Sequence, residues 1–343
     1  MIYKKLWDIL LQMRNNNRKK TKENKNYMLI IGFILLILGA DLLVKGSSNI
    51  AQKFHIPEMV IGLTIVAIGT SMPELVITIS SAKHNATELI IGNAIGSNLC
   101  NLLLIMGIIS ILKPINIDKE TKYIHLPVAL ISTIVILGLG VGILGSPQNV
   151  INNTDGWILV TSYLIYFLYP IVIETKDIIS SVKENKKKHI KTKNILSSII
   201  FIILGVILLK NGGDLVVDSA TEIALKFGIS ESVIGLTIIA VGTALPELIT
   251  SIIAVIKRED DLATGNLIGS CILNSFLILG TGAIITPLTF SRSFIYDLIL
   301  LSFTIILIWI FCFIGKKNTI TRSKATLLLT LYLGYMVNLF LSK

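Results

Sequence analysis

Long apolar runs separated by short polar stretches dominate the chain from about residue 27 onward. About 20 apolar residues suffice to cross a hydrocarbon core of about 30 Å as an α-helix. Such runs lie at about 27–45, 58–81, 87–112, 123–144, 156–174, 195–217, 232–256, 262–286, 293–315 and 323–341. The pattern predicts an all-α membrane protein with about ten transmembrane helices. Periodicity does not separate lipid-facing from buried surfaces here, because both are apolar. Two of the runs hold what such a helix should exclude. Ile68–Glu74 reads IGTSMPE and Val241–Glu247 reads VGTALPE, with a glycine, a proline and a carboxylate inside the apolar stretch.

These two segments belong to a longer repeat. Gly62–Leu75 reads GLTIVAIGTSMPEL and Gly235–Leu248 reads GLTIIAVGTALPEL, an offset of 173 residues. At the same offset GNAIGS at Gly92–Ser97 matches GNLIGS at Gly265–Ser270, Asn101 matches Asn274 and Asp41 matches Asp214. Four landmarks in one register mark an internal duplication. We divide the chain into a first repeat, 27–174, and a second, 195–343, with five spans each. An odd number of spans starts the second repeat on the opposite side of the membrane. The repeats are then inverted, with broken helices at the midplane.

Composition agrees with a membrane protein: only 15% of residues are charged and mean hydropathy is +0.78, where a soluble domain carries roughly 25% charged residues. The net charge of +10 raises nucleic acid as a partner. The basic residues, however, lie in short loops between spans, which is how cytoplasmic positive charge orients a membrane protein; no nucleic-acid partner is expected. The linker 175–194 carries seven lysines and is expected to be cytoplasmic, with Lys113, Lys119, Lys122, Lys257, Arg258, Lys316, Lys317, Arg322 and Lys324 on the same side. That arrangement puts the basic N-terminal tail, 1–26, outside, against the charge rule. Ile2, Leu6, Ile9, Leu10 and Met13 share one helical face there, which suits an interfacial segment. No cleavable signal peptide is evident. Cys100, Cys271 and Cys312 sit inside apolar spans without C-x-x-C spacing and read as small hydrophobes.

Pro73 has no N–H, so the Gly69 carbonyl four residues earlier loses its helical partner. Carbonyls around Ala67–Thr70 are expected to turn sideways, joined by oxygens of Thr70, Ser71 and Glu74. The second copy offers carbonyls around Ala240–Thr243 and the carboxylate of Glu247. Irregular polar backbone survives at membrane depth only inside protein or beside a cavity. Ser97 and Asn101 share one helical face, as do Ser270 and Asn274. Two carboxylates with neutral oxygens suit a hard cation such as Ca²⁺, and they balance one Ca²⁺ or two Na⁺. Ca²⁺ and Na⁺ in competition for one site would give antiport. Asp41 and Asp214 read as helix-end partners of Lys45 and Lys210, and Thr78, Ser80, Thr250 and Ser251 as hydroxyls bonded back to their own helices. The protein is expected not to be an enzyme: no Ser–His or Cys–His arrangement and no H-E-x-x-H offers a nucleophile with its base.

GLTIVAIGTSMPEL with GNAIGSNLCN, and GLTIIAVGTALPEL with GNLIGSCILN, resemble the two α-repeats of the sodium/calcium exchanger family, in its compact prokaryotic form. The resemblance covers nearly the whole chain and implies Na⁺-driven Ca²⁺ extrusion across the cell membrane, with no cofactor. H⁺/Ca²⁺ exchange on the same scaffold is the alternative. It makes Glu74 and Glu247 the central Ca²⁺ ligands, joined by the carbonyls of Thr70 and Thr243. Ser71, Ser97 and the Ala67 carbonyl would line one Na⁺ site, Ser270 and the Ala240 carbonyl another, with Asn101 and Asn274 bordering the middle. Two departures stand out. Ala244 replaces the serine of the first repeat, and Asn274 stands where some relatives have aspartate; the amide implies no K⁺ requirement. The short linker implies no Ca²⁺-sensing domain, and a monomer is expected.

Overall fold

The computed structural model describes residues 25–54, 56–144, 148–184, 195–226, 240–315 and 318–341. The basic tail over 1–24, the linker from 185 to 194 and the opening of the second motif, 227–239, lie outside the described residues. In chain order the helices are α1 (Lys25–Phe54), α2 (Glu58–Thr70), α3 (Met72–Lys83), α4 (Thr87–Leu112), α5 (Thr121–Gly140), α6 (Asn153–Glu184), α7 (Ile195–Lys226), α8 (Ala240–Thr243), α9 (Leu245–Ile256), α10 (Asp260–Ile285), α11 (Ser293–Phe311) and α12 (Arg322–Leu341). The described helices overlap the apolar runs, except that 232–239 of the run 232–256 lies outside the described residues. Among the described residues six helices are long and apolar enough to cross a bilayer, or seven if α2 and α3 form one bent span. The protein is a largely helical, multi-pass membrane protein.

Helices α1 and α7 run antiparallel in close contact, because glycines on each let the other's backbone approach. A Cβ at Gly39 would lie 2.8 Å from the Leu209 nitrogen and 2.9 Å from the Gly205 carbonyl oxygen. Gly32 meets Gly212 in the same way. Small residues at a helix crossing are how membrane helices gain van der Waals contact when lipid is as apolar as leucine. Helices α4 and α10 are the most enclosed spans, 72% and 78% buried in their apolar windows, whereas α7 is 22% buried and faces outward. The motif-bearing helices are therefore the core of the molecule.

Strands β1 (Ile115–Asn116), β2 (Val150–Ile151), β3 (Leu288–Thr289) and β4 (Thr319–Ile320) form two antiparallel ribbons. Ile115 pairs with Ile320, and Ile151 with Leu288. Each ribbon ties a first-half loop to a second-half loop. The hydrophobic pattern predicts neither, since two residues carry no period.

Candidate cation site

The breaker beside the charge resolves into two consecutive helices. Helix α2 ends at Thr70, α3 begins at Met72, and their axes differ by 47°. Ser71 at the break has φ −88° and ψ 11°. Ala244, its counterpart between α8 and α9, has φ −88° and ψ 3°. Pro73 and Pro246 occupy the first turn of the new helix, where a missing N–H costs nothing. Glu74 and Glu247 stand in those same first turns. The positive end of each helix dipole favours a carboxylate there. So the break supplies an N-terminus for the acid as well as oxygens for a ligand.

The backbone differs in detail from the sequence-based expectation. The Ala67 carbonyl accepts the Ser71 N–H at 3.0 Å and lies 3.4 Å from the Thr70 hydroxyl, so it is not the bare, sideways carbonyl expected. Gly69 is helical, and its missing side chain makes room for Val206, whose Cγ2 would sit 2.8 Å from an added Cβ. Its role here is to leave space for a neighbouring helix.

Side chains from both halves meet around the breaks. Ser71 Oγ lies 3.0 Å from Glu247 Oε1 and 3.1 Å from Ser270 Oγ. Ser97 donates to Glu74 Oε1 at 3.3 Å. Both glutamates are fully buried. The Oε2 atom of each has no hydrogen-bond partner, nor do either amide atom of Asn101 or the Oδ1 of Asn274. These buried, unpartnered oxygens fit a hard cation, whose coordination would satisfy them. Among the described residues no three His, Cys, Asp or Glu side chains converge on a metal position; the other polar groups described beside the two carboxylates are hydroxyls and amides. Thr70 places its hydroxyl 3.0 Å from Asn266 Oδ1. Ala240 begins α8 and Thr243, partly buried, ends it, so both stand in the single turn before the second break.

Three residues near the site went unread in the sequence. Asn266 joins Thr70 to Ser251, donating to Ser251 Oγ at 3.2 Å, and Asn98 and Ser275 bridge the two halves. The recurrence of Asn93 and Asn266 in the GN motif was the available signal for Asn266. Ser251 therefore takes a bond from another helix, and the Thr78 and Thr250 hydroxyls have no partner, against the expectation that all bond back to their own helices. Asn101 and Asn274 lie on π-helical segments, Cys100–Ile105 and Asn274–Ile278. Such segments disturb the carbonyl ladder and occur often at functional sites; nothing in the residue pattern announces them.

Comparison with known proteins bears on the same residues. The sodium/calcium exchanger protein family matches residues 26–172 and 197–341. The putative antiporter CaxA of Alkalimonas amylolytica is 34% identical over 318 residues, 91% of this chain and 98% of that protein. The sodium/calcium exchanger MaX1 of Methanosarcina acetivorans is 29% identical over 346 residues, 91% of this chain and 97% of its own. Among solved structures, the sodium-calcium exchanger NCX_Mj soaked with zero Na⁺ and Ca²⁺ superposes with a TM-score of 0.76 at 31% identity, covering 92% of this chain and 98% of that one. The match runs through both halves and both break motifs, and on these grounds the chain belongs to the sodium/calcium exchanger family, as a compact member of the prokaryotic type.

Proposed function

We propose that this protein extrudes Ca²⁺ in exchange for Na⁺ by alternating access. One cation site would form between the halves, with Glu74 and Glu247 as the charged ligands. Thr70 and Thr243 would add backbone carbonyls, and Asn101 and Asn274 would border the centre. Ser71, Ser97 and the Ala67 carbonyl would serve one Na⁺ position, and Ser270 with the Ala240 carbonyl another. The observation that supports this reading is the cross-half link from Ser71, at the first break, to Glu247, just after the second, with both acids fully buried. Two carboxylates balance one Ca²⁺ or two Na⁺, and an unbalanced ion in a low-dielectric interior is heavily penalised. Exclusive occupancy then couples the two fluxes. The names of the matched relatives, an antiporter and sodium/calcium exchangers, support the same ions.

The topology of this proposal has ten spans in two inverted repeats, 27–174 and 195–343. The linker 175–194 faces the cytoplasm and the tail 1–26 lies outside. A monomer without a Ca²⁺-sensing domain suffices for it. The test is radioactive Ca²⁺ uptake into proteoliposomes under an outward Na⁺ gradient or an outward H⁺ gradient, each imposed alone. The Na⁺ gradient is expected to drive uptake and the pH gradient to leave it at the passive level. Uptake driven by the pH gradient alone would establish H⁺/Ca²⁺ exchange instead, and uptake with neither gradient would indicate a channel.

A further inference from the structure

Asn98 is held at both ends of its amide. Its Nδ2 donates to the Cys271 carbonyl at 3.1 Å and to Ser275 Oγ at 3.0 Å, and its Oδ1 accepts from Asn274 Nδ2 at 3.1 Å. A backbone carbonyl only accepts, so the amide atom facing Cys271 must be the NH₂ group. That turns Oδ1 toward Asn274, which must answer with its own NH₂. The Asn274 oxygen therefore points the other way, buried and without a protein partner. One carbonyl thus sets the orientation of two amides. It is reachable because the helix changes pitch there: the Asn274 N–H is shared between the Ser270 and Cys271 carbonyls.

The arrangement is built on one side only. At the 173-residue offset Asn98 corresponds to Cys271, Ser275 to Leu102 and Asn274 to Asn101. Asn98 and Cys271 touch, with the Cys271 sulfur 3.9 Å from the Asn98 carbonyl oxygen. Where an amide and a hydroxyl would clamp Asn101, the chain has a thiol and a leucine, so Asn101 has at most the weak Cys271 thiol beside its amide and no strong hydrogen-bond partner.

We propose that Asn98, anchored by Ser275, is a positioning residue that holds the Asn274 amide with its oxygen toward the transported cation. The inference rests on the proposed cation site and explains how an amide works at position 274. A carboxylate offers an oxygen whichever way it turns. An amide that turned would aim its NH₂ dipole at the ion, so it needs an orienting partner. Asn274 is then the fixed amide ligand and Asn101 the adaptable one.

The test uses Ca²⁺-induced thermal stabilisation of the purified protein in Na⁺-free detergent, which reads binding without turnover. Asn98→Leu is expected to raise the half-effective Ca²⁺ concentration about tenfold, the scale of one lost hydrogen bond. In an Asn274→Asp background the same change should shift it by less than about twofold, since a carboxylate needs no orienting. Equal shifts in both backgrounds would overturn the inference, because a merely structural Asn98 does not depend on residue 274. If Asn98→Leu does not fold, Ser275→Ala loosens the same anchor, with about a threefold shift expected in the wild-type background and none in the Asn274→Asp background. A wild-type protein that Ca²⁺ fails to stabilise overturns the cation site and this inference together. A wild-type response with equal shifts overturns the inference alone.

Discussion

At the scale of single residues, Ser71 and Ala244 show how a duplicated site becomes unequal. The two stand at the same break with nearly the same backbone angles. Only Ser71 has a hydroxyl, and it reaches across to Glu247 and Ser270. Ser270 therefore shares its polar neighbourhood with the first-half serine and has no hydroxyl from Ala244 beside it. Ser270→Ala should lower the apparent affinity for Na⁺ several-fold, the scale of one lost oxygen ligand at about 1 kcal/mol, with Ca²⁺ half-saturation changed less. Titrating Na⁺ and Ca²⁺ separately in the flux assay checks this, and an effect on Ca²⁺ alone would contradict the assignment of Ser270 to a Na⁺ position. The acids were legible in the sequence because each is costly in an apolar run and recurs at one offset, as do the hydroxyls of Thr70 and Ser97; Ser71 does not recur and was legible only from its place beside the break. Asn98 was not, because its partner is a carbonyl that a local change of helical pitch makes available.

At the scale of helices, polar interruptions inside apolar runs correctly marked where a helix stops and restarts. Their physical reading needed amendment. The proline starts a helix whose first turn holds the acid, and the glycine makes room for a neighbouring helix. Asp214 pairs with Lys210 at 3.5 Å, as the four-residue spacing suggests. Asp41 instead reaches Lys257 at 2.6 Å, from α1 to the end of α9, while Lys45 lies over the Phe201 ring. Spacing along one helix does not see a partner on another. The α1–α7 contact offers a test of packing. With backbone atoms 2.8 and 2.9 Å from a Cβ at Gly39, Gly39→Leu should cost about 1–3 kcal/mol by overpacking. A fall of several degrees in the unfolding midpoint in detergent is expected. An unchanged midpoint would mean that the two helices separate freely.

At the scale of the whole molecule, the duplication was visible in the sequence. The two ribbons that stitch first-half loops to second-half loops were not. The halves are also held unequally. Lys257, which binds Asp41, corresponds at the 173-residue offset to His84, and His84 instead bonds the carbonyl of Ser80 on its own helix at 2.7 Å. Near-identical motifs therefore sit in unlike surroundings, an inequality that the proposed alternating access would use. What all of this depends on is that two acids, one per half, bind a single ion. The direct measurement is equilibrium binding of radioactive Ca²⁺ to the purified protein without Na⁺, for the wild type, Glu74→Gln and Glu247→Gln. Removing one charge from a buried, compensated cluster costs about 3–5 kcal/mol, more than a hundredfold in affinity. The wild type should therefore bind one Ca²⁺ per chain and each variant none at the same concentrations. Undiminished Ca²⁺ binding by either variant would show that the two carboxylates do not share an ion.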